Sequence, residues 1–296
     1  VLAALGQRVG FPCPRGGAGR LAEALVRRAE AGGVAVLCGR AAEAVEVRDG
    51  RAAGVRLAGG ERLAARRAVL GAIDGPRLLL SLVGRQHLRP ETVRDLERFE
   101  RDWATVKVNW TLDGPIPWSA ADARRAPVVH VGGTIDDLSV YAGEVQRGRA
   151  PGEPFLVVGQ YAVADASRAP AGKETAWAYT HVPHGLPDDE LAGVVERIDA
   201  TVERYAPGFG ALVRRRLVQS PADLEAANAS LVGGALGGGT SQLHGQGPFR
   251  PLVGLGRPAT PVRRLYLASS SAHPGGGVHG ACGWNAARAA LRTWRP

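Results

Sequence analysis

The chain has 296 residues, 45% of them hydrophobic, which gives a globular protein with a large core or two domains. Its formal charge is +9, but Lys107 and Lys173 are the only lysines, and arginine is spread along an Ala-, Gly- and Pro-rich chain. The longest basic run, Arg214-Arg215-Arg216, carries no interleaved aromatics, so nucleic-acid binding is excluded.

Cys13, Cys38 and Cys282 are odd in number and far apart, which points to free thiols in a reducing, cytoplasmic compartment and not to disulfides or zinc. The opening VLAALG is too short for a signal-peptide core, and no apolar run reaches the length of a membrane span. A weak pull toward anionic membrane surfaces, as a peripheral protein, is compatible with the charge. A chain of this length without methionine, beginning at Val1, is expected to be a piece of a longer protein.

Gly19 to Ala31 predicts a helix with Leu21, Ala24, Leu25 and Ala29 on one face and Gly32-Gly33 as its stop. The run Gly17-Ala18-Gly19-Arg20-Leu21-Ala22 reads as the start of this helix, because Phe11-Pro12-Cys13-Pro14 before it cannot be a buried strand. Val34 to Leu37 predicts a short strand. Asp49-Gly50 predicts a two-residue hairpin turn between Val45, Val47 and the run Ala53 to Leu57. After Gly59-Gly60, Arg66 to Ile73 returns as a strand ending in Asp74-Gly75.

From Pro76 to about Pro258, strands alternate with helices. Val106, Val108, Trp110 and Leu112, and again Ala176, Ala178, Thr180 and Val182, alternate with their neighbours, while Phe155 to Val158 is continuously apolar. Trp177, Tyr179 and His181 fall on the opposite face. Leu191, Val194, Val195, Ile198, Val202 and Tyr205 form a helical stripe, started by Asp188 and stopped at Pro207-Gly208. Gly233-Gly234 and Gly237-Gly238-Gly239 predict a loop near a ligand.

Leu265 to Ala268 predicts a buried strand, and Gly275, Gly277 and Gly280 then satisfy G-x-G-x-x-G at the mouth of a helix kept thin by Ala281, Ala286, Ala289 and Ala290. Glycine admits close approach of a ligand, and a helix start attracts negative charge. Four residues, Ser271 to Pro274, separate strand from loop, and no acidic residue follows at the spacing that holds a ribose. The loop is therefore assigned to the other end of a nucleotide cofactor.

The histidines His130, His181, His184, His244, His273 and His279 show no metal-ligand spacing, and Ser269, Ser270 and Ser271 lack a nucleophile elbow. No catalytic side chain is identified. His279, inside the glycine loop, is the candidate to touch a cofactor ring or to serve structure alone.

Five segments, PRGGAGRLAEAL, DGRAAGVRLAGGERLAARRAVL, LDGPIPW, APGF and SSSAHPGGGVHGACGWNAARAAL, resemble the phytoene dehydrogenase-like FAD-dependent oxidoreductases, relatives of carotenoid desaturases and more distantly of amine oxidases. The resemblance covers essentially the whole chain. It implies the C-terminal portion of a flavoprotein whose ADP-binding Rossmann motif lies upstream. Val45 is then the residue whose backbone meets the adenine, while Ser269, Ser270, Gly275, Gly276, Gly277 and Val278, with His279, line the phosphate, ribityl and flavin-ring side.

The expected fold is α/β, a partial FAD-binding Rossmann-like layer (1–75 and 256–296) plus a mixed-sheet substrate domain with helices (76–255). The expected reaction is hydride transfer from an apolar isoprenoid or polyene substrate to FAD. Trp110, Trp118, Trp177 and Tyr179 are expected to roof the flavin and the apolar substrate path. The alternatives are a non-catalytic fragment that holds FAD poorly and an amine oxidase-like flavoenzyme with an aromatic cage.

Overall fold

The computed structural model describes residues 2–293. Its elements run in chain order α1 (Leu2–Val9), α2 (Gly19–Ala31), β1 (Ala42–Arg48), β2 (Arg51–Leu57), β3 (Arg62–Ala64) and β4 (Val69–Gly71). A π-helical turn (Arg77–Gly84) and α3 (Pro90–Glu97) lead into β5 (Ala104–Leu112), β6 (Val128–Val131), α4 (Ile135–Gln146), β7 (Leu156–Gln160) and β8 (Glu174–Val182). The chain ends with α5 (Asp188–Tyr205), α6 (Phe209–Leu212), β9 (Val213–Gln219), α7 (Pro221–Ala227), β10 (Leu265–Leu267) and α8 (Ala281–Arg292). The fold is α/β, with helix and strand intermixed.

Two compact units result, one of residues 1–38 with 106–219 and one of 39–105 with 220–296. These boundaries differ from the expected 1–75, 76–255 and 256–296. The π-helical turn after Pro76 is one reason. Its Leu78, Leu79 and Val83 pack with Val45, Leu265 and Leu267, which draws residues beyond 75 into the second unit.

In the second unit, β1, β2 and β3 form an antiparallel meander. Asp49 and Gly50 take φ of 50° and 69°, the left-handed pair that a two-residue hairpin needs, and Arg48 pairs with Arg51 across it. Strands β4 and β10 pair in parallel with Leu265 opposite Val69. At their C-terminal ends the Gly75 N–H donates to buried Ser271 Oγ at 3.0 Å. A Cβ at Gly71 would stand 2.5 Å from Leu78, so the turn seats directly on the strand.

The first unit holds the five-stranded sheet β6-β7-β8-β5-β9. Burial alternates strictly along β8, as the period of two demands. The buried face includes Val106, Val108, Trp110, Ala178 and Val182, and the apolar stripe of α5 is buried from Leu191 to Val202, while Tyr205 at its end is exposed.

Two expectations change here. Val34 to Leu37 is not a strand: no described strand pairs with it, and its apolar side chains are exposed. Helix α2 forms as read, but none of its residues is buried and Leu25 is 64% exposed. An amphipathic pattern predicts a helix, while burial needs a partner surface, and none of the described residues supplies one.

Candidate cofactor loop and aromatic face

In the second unit, β10 delivers the chain into a loop that turns through Ser269 to Pro274 and reaches α8 at Gly280, whose φ of 65° sets the left-handed start of that helix. Gly275 and Gly277 adopt φ of 101° and 144°, which side chains rarely tolerate. Gly276 lies against Gly237, where a Cβ would stand 3.3 Å from the Gly237 carbonyl oxygen. Val278 is 93% exposed. The His279 Nδ1 accepts the Ala281 N–H at 3.0 Å, so His279 caps α8. Buried Cys282 turns its Sγ to the carbonyls of Ala272 and Gly275, fastening the first turn of α8 to the loop.

The sequence-predicted residues Ser269, Ser270 and Gly275 to His279 thus fall on one loop that leads into a helix N-terminus. Val45 lies elsewhere, in the meander, but in the same hydrophobic cluster as Leu265, Leu267 and Ala272. Ser269 Oγ accepts the Ser271 N–H at 3.3 Å, and the Ser270 carbonyl is held from beneath.

The holder is Arg250, which sequence reading missed. It is 3% exposed. Its Nε donates to Ser270 O at 2.9 Å, Nη1 to Thr240 O at 2.9 Å and Nη2 to Gly237 O at 2.6 Å. One planar fork therefore joins the loop at 237–240 to the loop at 270–275. Burial lowers its pKa from the ordinary arginine value while Asp102 pulls it back up, and guanidinium remains cationic in this setting. Asp102 steadies the same loop by accepting the N–H and hydroxyl of Ser241.

Beside these strand ends, Asp74 is buried and accepts Arg101 Nη2 at 2.8 Å and the Arg77 N–H at 3.0 Å, while its Oδ1 has no partner among the described residues. The geometry fits a nucleotide cofactor. The loop surface lacks Cβ atoms where a ligand backbone would lie, a helix N-terminus and a buried cation underlie it, and a buried acceptor is left open.

In the first unit, the solvent face of β8 carries a row of rings. Trp177 stacks on Tyr179 at 5.9 Å and 13°, Tyr161 tilts onto Trp177, and His181 meets Tyr179 edge-on. Gly159 makes room, since a Cβ there would strike the Trp177 indole at 2.2 Å. Trp110 and Trp118 do not join this row. Trp110 shares the parity of Val106 and Val108, packs edge-on against Phe209 at 5.2 Å and donates Nε1 to Asp199. Trp118 is equally buried and donates Nε1 to Gln160 Oε1 at 2.9 Å.

Lys107, half-buried, stands over the Trp177 ring at 5.6 Å, and burial lowers its pKa from the ordinary 10.5. Its rarity was the available signal: lysine is nearly absent from this arginine-rich chain. The unfolded chain binds more protons between the lowered and the ordinary value, so Lys107 makes stability rise with pH across that window. Lys107→Met is expected to remove this rise. Urea unfolding of both proteins as pH climbs toward 10.5 measures the difference, since the tyrosines contribute equally to each.

No family model matches the chain. Pyridine nucleotide-disulfide oxidoreductase domain-containing protein 2 of Rattus norvegicus is 29% identical over 295 residues, covering 94% of this chain and 50% of that protein. The zeta-carotene-forming phytoene desaturase of Myxococcus xanthus is 31% identical over 286 residues, 91% of this chain and 50% of the relative. An oxidoreductase structure from Methanosarcina mazei superposes with a TM-score of 0.61 at 15% identity, covering 94% of this chain and 55% of that one. A putrescine oxidase double mutant redesigned in cofactor binding gives a TM-score of 0.55 at 15% identity, covering 94% and 52%.

The chain therefore shares its fold with about half of each of these solved structures. By sequence the chain is homologous to both of these curated proteins, and it spans about half the length of each.

Proposed function

We propose that this chain is part of an FAD-dependent oxidoreductase that takes a hydride from an apolar, isoprenoid or polyene-like substrate. The observation that carries the reading is the glycine loop at the C-terminal ends of β4 and β10, underlain by Arg250 and the start of α8. Bound flavin supplies the hydride acceptor. Ser269, Ser270 and Gly275 to Val278 hold the cofactor through backbone groups, and Val45 receives the adenine end. The cation of Arg250 and the helix N-terminus favour negative charge at the loop. His279 keeps the α8 start in place through its Nδ1 and moves no proton.

The ring row of Trp177 and Tyr179 offers an apolar substrate surface. It suits a polyene better than an amine. Its two rings stack on each other and leave no gap for an ammonium, and Lys107 already occupies the face of Trp177. The reading includes peripheral contact with a membrane, where such a substrate dissolves, and co-sedimentation with anionic vesicles tests that part. Among the described residues, no helix is long and apolar enough to cross a membrane.

Titration of the purified chain with FAD, followed by quenching of flavin fluorescence, is expected to saturate. In the longer parent protein, single-turnover flavin reduction by a polyene is expected to survive His279→Ala within the roughly 10²-fold lower bound for a lost acid or base. Absence of saturable FAD binding by both proteins would overturn the cofactor assignment. Complete loss of reduction in a flavin-loaded His279 variant would make that histidine catalytic.

A further inference from the structure

At the other end of the β4 and β10 pair, a cavity of about 640 Å³ opens where the two strands begin. Five arginines line it, Arg51, Arg66, Arg67, Arg263 and Arg264, and none of its described lining residues is Asp or Glu. Other arginines of this chain meet carboxylates, as Arg56 does with Glu43 and Arg204 with Glu153. Among the described residues, Arg51, Arg66, Arg263 and Arg264 form no ion pair. Among the described lining residues, Ala290, Leu291 and Thr293 bring the C-terminal end of α8 to the cavity wall. That end carries roughly half a negative charge, far short of the guanidiniums of Arg51, Arg66, Arg263 and Arg264.

A second observation bears on the same place. Arg264 holds φ at 64°, a left-handed conformation that a long L side chain adopts only under strain. Arg264 lines the cavity together with Leu265 and Tyr266, both of which are buried. A concave surface of one charge sign focuses its field inward, and arginine forks match phosphate oxygens two at a time.

We propose that this cavity binds a ligand bearing two or more adjacent phosphate groups, at a site separate from the glycine loop. The strand pair of three residues places roughly 10 Å between the two ends. A single small anion would leave most of the arginines uncompensated, whereas a di- or triphosphate spans several. The volume admits an organic group of nucleotide size beside the phosphates. The shared chemistry is the phosphate run, carried either by a soluble phosphoester or by a lipid headgroup.

The test uses the whole chain and inorganic tripolyphosphate, with binding followed by titration calorimetry at low ionic strength. One saturable site is expected, at least tenfold tighter than sulfate and weakened by added salt. The triple variant R51Q/R66Q/R264G is expected to bind at least tenfold more weakly. Glycine at 264 relieves the left-handed φ, so the variant should keep its melting temperature, and R27Q/R28Q/R125Q, which also removes three charges from exposed positions outside the cavity, serves as the charge-matched control. Recruitment to phosphatidic acid vesicles that tripolyphosphate displaces supports a headgroup source, and its absence beside tripolyphosphate binding supports a soluble one. Equal affinity in the triple variant, absence of saturation, or displacement of tripolyphosphate by FAD would each overturn the proposal. Displacement by FAD would place the anion at the glycine loop and leave the cofactor assignment standing.

Discussion

Arg250→Met is expected to destabilise the chain by about 3 to 5 kcal/mol and to abolish flavin retention, because it removes one side chain from several buried acceptors at once. The carbonyls of Ser270, Thr240 and Gly237 would lose the donors they now share. Each buried acceptor left without a partner costs on the order of 1 to 3 kcal/mol, less whatever water recovers. Arg250→Lys keeps the charge but offers a point donor in place of a planar fork, so it should restore only part of the loss. Urea unfolding gives the stability change, and flavin absorbance of the purified protein gives the retention. Unchanged values for both in the methionine variant would mean the two loops hold their shape without the clamp.

Gly277→Val is expected to behave differently, with flavin affinity reduced by tenfold or more and global stability changed little. The backbone there sits at φ 144°, and the new Cβ would stand 2.8 Å from the His279 ring. Strain of this kind costs on the order of 1 to 3 kcal/mol, but Gly277 is exposed and its loop can shift. The shifted loop would no longer present its amides to a cofactor. Equilibrium titration with FAD, alongside a melting curve, separates the two effects. A variant that binds FAD as the parent does would make the loop a structural turn.

Much of this architecture could be read from the residues alone, where a local rule was decisive. The hairpin at Asp49-Gly50 follows from turn chemistry, and the structure closes it with the two-residue connection expected. Helix α5 follows from its stripe and its Pro-Gly stop, and β10 with its loop and α8 follows from the change of pattern after Leu267. What escaped depended on partners distant in sequence. Arg250 lies between Phe249 and Pro251 with no periodicity to mark it, and its meaning rests on carbonyls up to 20 positions away. Val34 to Leu37 has the composition of a strand, but a strand exists only beside another.

The misplacement of Trp110 is instructive because the information was present. Its parity with Val106 and Val108 already assigned it to the core face, opposite Trp177. Aromatic character suggested a ligand surface, and the period of two decided otherwise. Lys107 shows the converse: an odd-numbered position on the same strand marked it for the ring face.

The parallel pairing of β4 with β10 has a consequence for how the molecule comes into being. The bond from Gly75 to Ser271 joins residues 196 apart, and the two strands sit near opposite ends of the unit's sequence. Closing so long a loop adds little to the equilibrium cost, since each doubling of length is worth only about 0.6 kcal/mol. Its weight falls on time. During synthesis β4 emerges early and waits with an open edge until β10 arrives, while the meander can close as soon as it is made. The interval between those two events is when this protein is most exposed to proteases and to pairing with the wrong strand.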